Sequence, residues 1–239
     1  TVRLVPFSGS RAITVHIGTL TLSNYFNANN RNITSSQNIQ LLPGRSYTIT
    51  LKFELGIQLA ASDITLTQNG CTANDKNNLA KLRWATGNLK STGSANYVWT
   101  TATDYGYYYT FYSTYAGNTD TNNTDPCSKL NTAYYGTGWR TPSRSTLIML
   151  SRCTNKALVN KGMWFMNSST GLFLPAAGYR NDNRGGSGTE ATTSLGTQGF
   201  YQSRDDAGGT VSYFMLFGNG SIDIGAFQKK DGKTVRCVK

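Results

Sequence analysis

The chain has 239 residues and a formal net charge of +11, although only 15% of its residues are charged. Lys and Arg are scattered with no run longer than Lys229-Lys230, and no apolar stretch is long enough for a membrane-spanning helix. No recognition helix, zinc-finger spacing or RNP-like aromatic signature accompanies the charge, so nucleic acid is excluded as the partner, and an anionic surface polymer such as an acidic glycan fits better.

Residues 1 to about 66 predict short strands. Ser46–Leu55 alternates, with Tyr47, Ile49, Leu51, Phe53 and Leu55 on one face and Ser, Thr, Lys and Glu opposite. In Ala12–Leu22 the apolar phase slips from Ile13, Val15 and Ile17 to Leu20 and Leu22, and Gly18 at the slip predicts a bulge. Asn27–Asn32 is a loop and Ser62–Thr67 a further strand. About five strands form a small antiparallel β-sandwich over 1–68, whose exposed edges are either covered by the rest of the chain or completed by strands that precede Thr1. No signal peptide is present at Thr1, and a matured or truncated start is expected.

From Gly70 the texture changes. Asn74–Leu82 predicts a weak helical turn, Leu82–Leu89 a strand and turn, and Tyr97–Tyr115 is dense in aromatics. Gly117–Asp125 is a polar loop. Asp125-Pro126-Cys127 opens a short helix, with Asp as N-cap and Pro first. Thr141 or Ser143 caps a second helix running to Cys153, with Leu147, Ile148 and Leu150 toward a core. Strands and glycine-rich loops follow Leu172. Residues 69–239 are thus an α+β domain.

The residues that could carry chemistry are few. His16 is the only histidine and lies opposite the apolar row of its strand, so no cysteine has a histidine base at hand. No nucleophile elbow, zincin motif or phosphate loop occurs. Carboxylates such as Asp182, Asp205 and Asp206 fall in loops, where Asn and Asp are ordinary turn formers. The expected protein is therefore not an enzyme and needs no metal or cofactor. Tyr105, Tyr107, Tyr108, Tyr109, Tyr112 and Tyr115 suggest a carbohydrate-stacking face, with alternation putting Tyr107 and Tyr109 on one side and Tyr108 on the other. Four cysteines outside any CxxC spacing predict two disulfides and an oxidising compartment, and leave the connectivity open.

Gly138-Trp139-Arg140-Thr141-Pro142-Ser143, the run Leu172–Asn181 and Thr234-Val235-Arg236-Cys237-Val238-Lys239 together resemble the FISUMP-type domain of surface proteins from Gram-negative anaerobes, a family related to C-type-lectin-like and formylglycine-generating-enzyme-like folds. Leu82–Leu89 is similar to the lead-in of fimbrillin-like proteins that carry this domain, and Leu41–Phe53 to the closing strand of a fimbrillin sandwich. The resemblance departs at Thr146, where the family often has a capping Glu, and at Gln202, where a Trp is common.

The resemblance implies a C-type-lectin-like domain after the sandwich. It also implies a disulfide between Cys127 and Cys237, leaving Cys71 with Cys153; the nested pairing of Cys71 with Cys237 and Cys127 with Cys153 stays open. The lectin triplets that bind sugar through calcium are absent. By resemblance the protein is exported to the cell surface as a lipoprotein precursor and joins a fimbrium, with other pilus subunits as partners through donated strands. It then acts in adhesion as an adhesin or tip subunit. A host or bacterial surface ligand would meet loop residues Tyr179, Arg180, Asn181, Asp182, Asn183 and Arg184, with Arg204 and Asp205. The alternatives are a structural pilus subunit without its own ligand and a formylglycine-generating-type or glycan-active enzyme.

Overall fold

The computed structural model describes residues 9–15, 18–22, 37–41, 47–53, 56–59, 64, 70–91, 97–113, 123–165, 171–181 and 192–239. The chain divides into two units, one of residues 1–55 with 132–137 and one of residues 56–131 with 138–239.

In the first unit four strands make two antiparallel pairs. β1 (Gly9–Val15) pairs with β4 (Tyr47–Phe53), and β2 (Gly18–Leu22) pairs with β3 (Gln37–Leu41). The slip at Gly18 is therefore not a bulge within one strand. Val15 ends a strand in one sheet and Gly18 begins a strand in another, so the apolar phase resets between them. His16 and most of Ser62–Thr67 lie outside the described residues.

The second unit is mixed α+β and rich in sheet. Its short strands are β5 (Ile57–Gln58), β6 (Arg83–Trp84), β7 (Leu89–Ser91), β8 (Tyr97–Trp99) and β9 (Tyr108–Tyr109). Among the described residues the α-helices are α1 (Ala73–Lys81), the single-turn α2 (Thr132–Tyr135) of the first unit, and α3 (Arg144–Cys153). Then come β10 (Lys156–Val159), β11 (Gly162–Phe165), β12 (Leu172–Pro175), β13 (Tyr179–Arg180), β14 (Thr192–Thr193), β15 (Gln198–Gly208), β16 (Val211–Gly218), β17 (Ser221–Gln228) and β18 (Lys233–Thr234). The largest sheet has the order β17-β16-β15-β18-β9, with β18 parallel to β15 through Tyr201 and Thr234. A second sheet runs β10-β11-β12.

Local chemistry sets the helices. Asn74–Leu82, expected as a weak turn, is a nine-residue helix over Ala73–Lys81 with Leu82 as its C-cap, and Thr72 and Asp75 form a capping box at its start. The Thr72 hydroxyl accepts from the Asp75 N–H at 3.1 Å, and the Asp75 carboxylate accepts from the Thr72 N–H at 3.0 Å. Asp125 caps a 3-10 turn over Pro126–Lys129, as its Asp-Pro start predicts. Ser143 caps α3, and Leu147, Leu150 and Cys153 at helical spacing face the core, while Ile148 is only half-buried.

The core of this unit joins Leu79 of α1, Trp84, Leu147 and Leu150 of α3, Phe165 and Phe217. Ile57, Leu59 and Ile64 also pack here. Two disulfides cross it: Cys71–Cys153 ties the start of α1 to the end of α3, and Cys127–Cys237 ties the 3-10 turn to the C-terminal segment. This is the pairing that the resemblance implies. The second bond spans 110 residues. Replacing both Cys127 and Cys237 by Ala should lower the unfolding free energy by about 4–5 kcal/mol in urea titrations, the loop-entropy value for a loop of about this length.

Candidate ligand-binding surface

The C-terminal segment after β18 is the frame on which any site of the second unit is built. Its backbone is bonded on two sides. Arg83 and Lys239 exchange N–H···O bonds of 2.8 Å, the Ala85 N–H donates to Cys237 O, and the Leu89 N–H donates to Val235 O. On the other side Arg140 and Val238 exchange a second pair. Gly138–Ser143 and Leu82–Leu89 thus each bond to the run Thr234–Lys239, and Leu172–Asn181 meets that same run through Phe173 O, which accepts from Arg236.

Arg236 links these runs. Its side chain is 1% exposed. Nε donates to Asn88 Oδ1 at 2.8 Å, Nη1 to Ala85 O at 3.0 Å and Nη2 to Phe173 O at 3.1 Å. Asn88 in turn donates to Tyr105 O and the Tyr201 hydroxyl, and the Tyr201 hydroxyl donates to Pro175 O. All these acceptors of Arg236 are carbonyl-type oxygens, so burial draws its pKa below the ordinary value, while the Tyr201 phenol is pushed above its own.

Beside it Lys233 is fully buried. Nζ donates to Gln228 O at 2.7 Å and lies near the Phe227 ring, 5.1 Å from its centroid. Burial lowers its pKa to about 8, with Asp231 opposing.

The eight candidate loop residues fall into separate settings. The Tyr179 ring is half-buried and packs on Phe200 and Phe227, with centroids 4.6 and 5.1 Å away. Arg180 is only 6% exposed. Its N–H and C=O pair with Gly232, and its guanidinium lies over the Tyr108 ring at 5.3 Å. These two residues anchor the base of a connection that leaves β13 and returns through β14. Gly178 admits this base: a Cβ there would stand 2.3 Å from Thr193 O, and its φ is +62°. Asn181 is exposed where that connection begins, whereas Asp182, Asn183 and Arg184 lie outside the described residues.

Arg204 and Asp205 sit elsewhere, at the start of α3. The Arg204 N–H donates to Pro142 O, and Asp205 Oδ2 accepts from the Arg144 N–H at 2.7 Å. Thr146, where the resemblance would have a Glu, donates its N–H to the Ser143 hydroxyl. Asp205 adds a carboxylate from β15 at the N-terminal end of α3, where the helix dipole favours negative charge. Asp206 is likewise engaged: it accepts from the Gly208 N–H and pairs with Lys229, both of which lower its pKa, Lys229 the more.

Gln202, standing where a Trp is common, is buried and donates to Tyr109 O. Of the tyrosine row, Tyr108 and Tyr109 are both buried, against the expected alternation, because β9 is covered on both faces. The Tyr108 hydroxyl donates to Ala177 O, and burial raises its pKa to about 12. Tyr105, Tyr107 and Tyr112 are half-exposed, and Tyr115 lies outside the described residues. Sequence reasoning does not single out Lys233, Arg236 or Asn88; the available signal is that Arg236 and Asn88 fall in the runs Thr234–Lys239 and Leu82–Leu89, while Lys233 directly precedes the first.

No protein-family model matches the chain, and no curated protein or solved structure does either.

Two outcomes follow from these roles. Asp205→Ala should cost about 1 kcal/mol in thermal or urea unfolding through the lost N-terminal bond of α3. For Lys233, the folded form sheds its proton near pH 8 while the unfolded chain holds it to the ordinary value of 10.5. The unfolded chain binds more protons between those values, so stability should rise with pH from about 8 toward about 10. Above about 10 the buried phenols Tyr108 and Tyr201 reverse the trend, since only the unfolded chain ionises them readily. The rise should flatten in Lys233→Met, as read from urea midpoints across this range.

Proposed function

We propose that the chain is a non-enzymatic adhesive module of the bacterial surface, a fimbrial adhesin or tip subunit. Its second unit would be a C-type-lectin-like platform that presents loops to an anionic ligand such as an acidic glycan. The observation that carries this reading is the convergence of the motifs bearing the resemblance on one disulfide-pinned C-terminal segment. That arrangement makes a rigid base for the 181–191 connection, and recognition commonly sits on loops held by such scaffolds. The first unit would join neighbouring subunits through strand donation, and export would supply the oxidising setting that two disulfides require.

Among the described residues, several groups capable of chemistry take part in building the frame. All four cysteines are bonded in pairs, which disfavours the thiol chemistry of a formylglycine-generating-type enzyme. Asp75, Asp104, Asp125, Asp205 and Asp206 each accept from a backbone N–H and so help to hold the fold, and the chain as a whole carries a net charge of +11. Among the described residues no helix is long and apolar enough to cross a membrane.

The test is binding of the purified protein to an array of sulfated, sialylated, uronic-acid and neutral glycans. Acidic members should bind, and the double variant Asn181→Ala/Arg184→Ala should weaken binding about tenfold or more without moving the unfolding midpoint. Arg180 is unsuitable as a probe, because its substitution would unseat Tyr108 and the β13 base. A flat array would favour the structural subunit without its own ligand.

A further inference from the structure

Leu158 and Val159, with 46% and 40% of their surfaces exposed, are the large apolar side chains left uncovered among the described residues. Both belong to β10, the outer strand of β10-β11-β12. All four β10 residues are exposed, whereas all four of β12 are buried. The register shows why this matters. Leu174, Met163 and Leu158 stand opposite one another across the three strands. The first two are buried in the core, and Leu158 continues the same row beyond its cover.

The backbone of β10 is equally unfinished. Val159 and Gly162 close a two-residue turn, which makes them a hydrogen-bonded pair and Leu158–Met163 the next, non-bonded one. The N–H and C=O of Leu158 therefore point away from β11, along the outer edge. An exposed edge that joins outward backbone groups to an uncovered apolar residue is a template for an added strand.

Charge selects the occupant. Between Arg144 and Asn181 the sequence contains no Asp or Glu, but it contains Arg144, Arg152, Lys156, Lys161 and Arg180. Lys156 and Lys161 flank the edge and are exposed. Like charge at the edge and a net charge of +11 oppose pairing with a second copy, in the way that edge lysines normally do.

We infer that β10 is a docking edge for an extended, acidic segment of another polypeptide, which adds as a further strand beside Leu158 and sets carboxylates near Lys156 and Lys161. This surface is separate from the loop surface proposed above and does not depend on it.

The probe is a labelled synthetic peptide alternating valine and glutamate, compared by fluorescence anisotropy with versions carrying lysine for glutamate or a central proline. The glutamate peptide should bind, the lysine peptide should not, and the proline peptide should bind less tightly. Hydrogen exchange at the Leu158 amide should slow in the complex. Leu158→Pro, which removes the outward N–H, should weaken binding about tenfold or more. Leu158→Glu, which keeps the N–H but adds a repelling charge, should do the same and serves if the proline variant does not fold. The inference is overturned if no peptide binds, if both variants bind the glutamate peptide as well as the parent, or if binding leaves the Leu158 amide unprotected. It is also overturned if sedimentation shows the parent to be a dimer that Leu158→Pro dissociates, since the occupant would then be a second copy.

Discussion

The guanidinium of Arg236 is the constraint around which the second unit is organised. A buried cation is tolerable only when its donors are met, and here they are met by Ala85, Asn88 and Phe173, which lie 63 to 151 residues away along the chain. Satisfying one side chain therefore fixes the relative placement of the 83–89 segment, the end of β12 and the C-terminal segment. The Cys127–Cys237 bond, one residue further along, limits how far the same segment can open. Non-covalent and covalent ties act on adjacent residues, so the C-terminal segment is both the last part of the chain and the hub of its polar contacts.

How much of this was legible in the sequence depends on the range of the interaction concerned. The Asp125-Pro126 start, the Ser143 cap and the apolar face of α3 are local patterns and can be read directly. α1 was undervalued because its mean character is polar; its stability comes from the Thr72–Asp75 box and from burial of Leu79. The change of sheet near Gly18 mimics a bulge, since both produce a phase slip and only the pairing partners distinguish them. Tyr108 and Tyr109 defeat an alternation argument for a similar reason: a strand covered on both sides has no solvent face to alternate with. The candidate site fared similarly. Arg180 has the composition of a loop contact, but its pairing with Gly232 and its seat over Tyr108 turn it inward.

Asp205 shows how a residue's type can mislead about its role. In a polar stretch it suggests a ligand for sugar or cation, yet its carboxylate, carried on β15, accepts from the first N–H of α3 and so serves the helix start. Gln202 has an internal role too: it is a buried amide that donates to Tyr109 O and so ties β15 to β9.

These uses of carboxylate position charge without removing it: Asp205 and Asp206 keep 40% and 53% of their side chains exposed while accepting from a backbone N–H. The chain still has 23 Lys and Arg against 12 Asp and Glu, and the stretch 144–181 contributes Arg144, Arg152, Lys156, Lys161 and Arg180 with no acid of its own. An anionic polymer and an acidic strand would both be drawn to such a surface, but they require different continuations of it. The polymer needs projecting polar side chains, as Asn181 provides at the rim of the β13–β14 connection. The strand needs an open backbone edge and an apolar row to extend, which β10 offers with exposed Leu158. Charge brings both classes of partner near, and short-range hydrogen bonding and packing separate them.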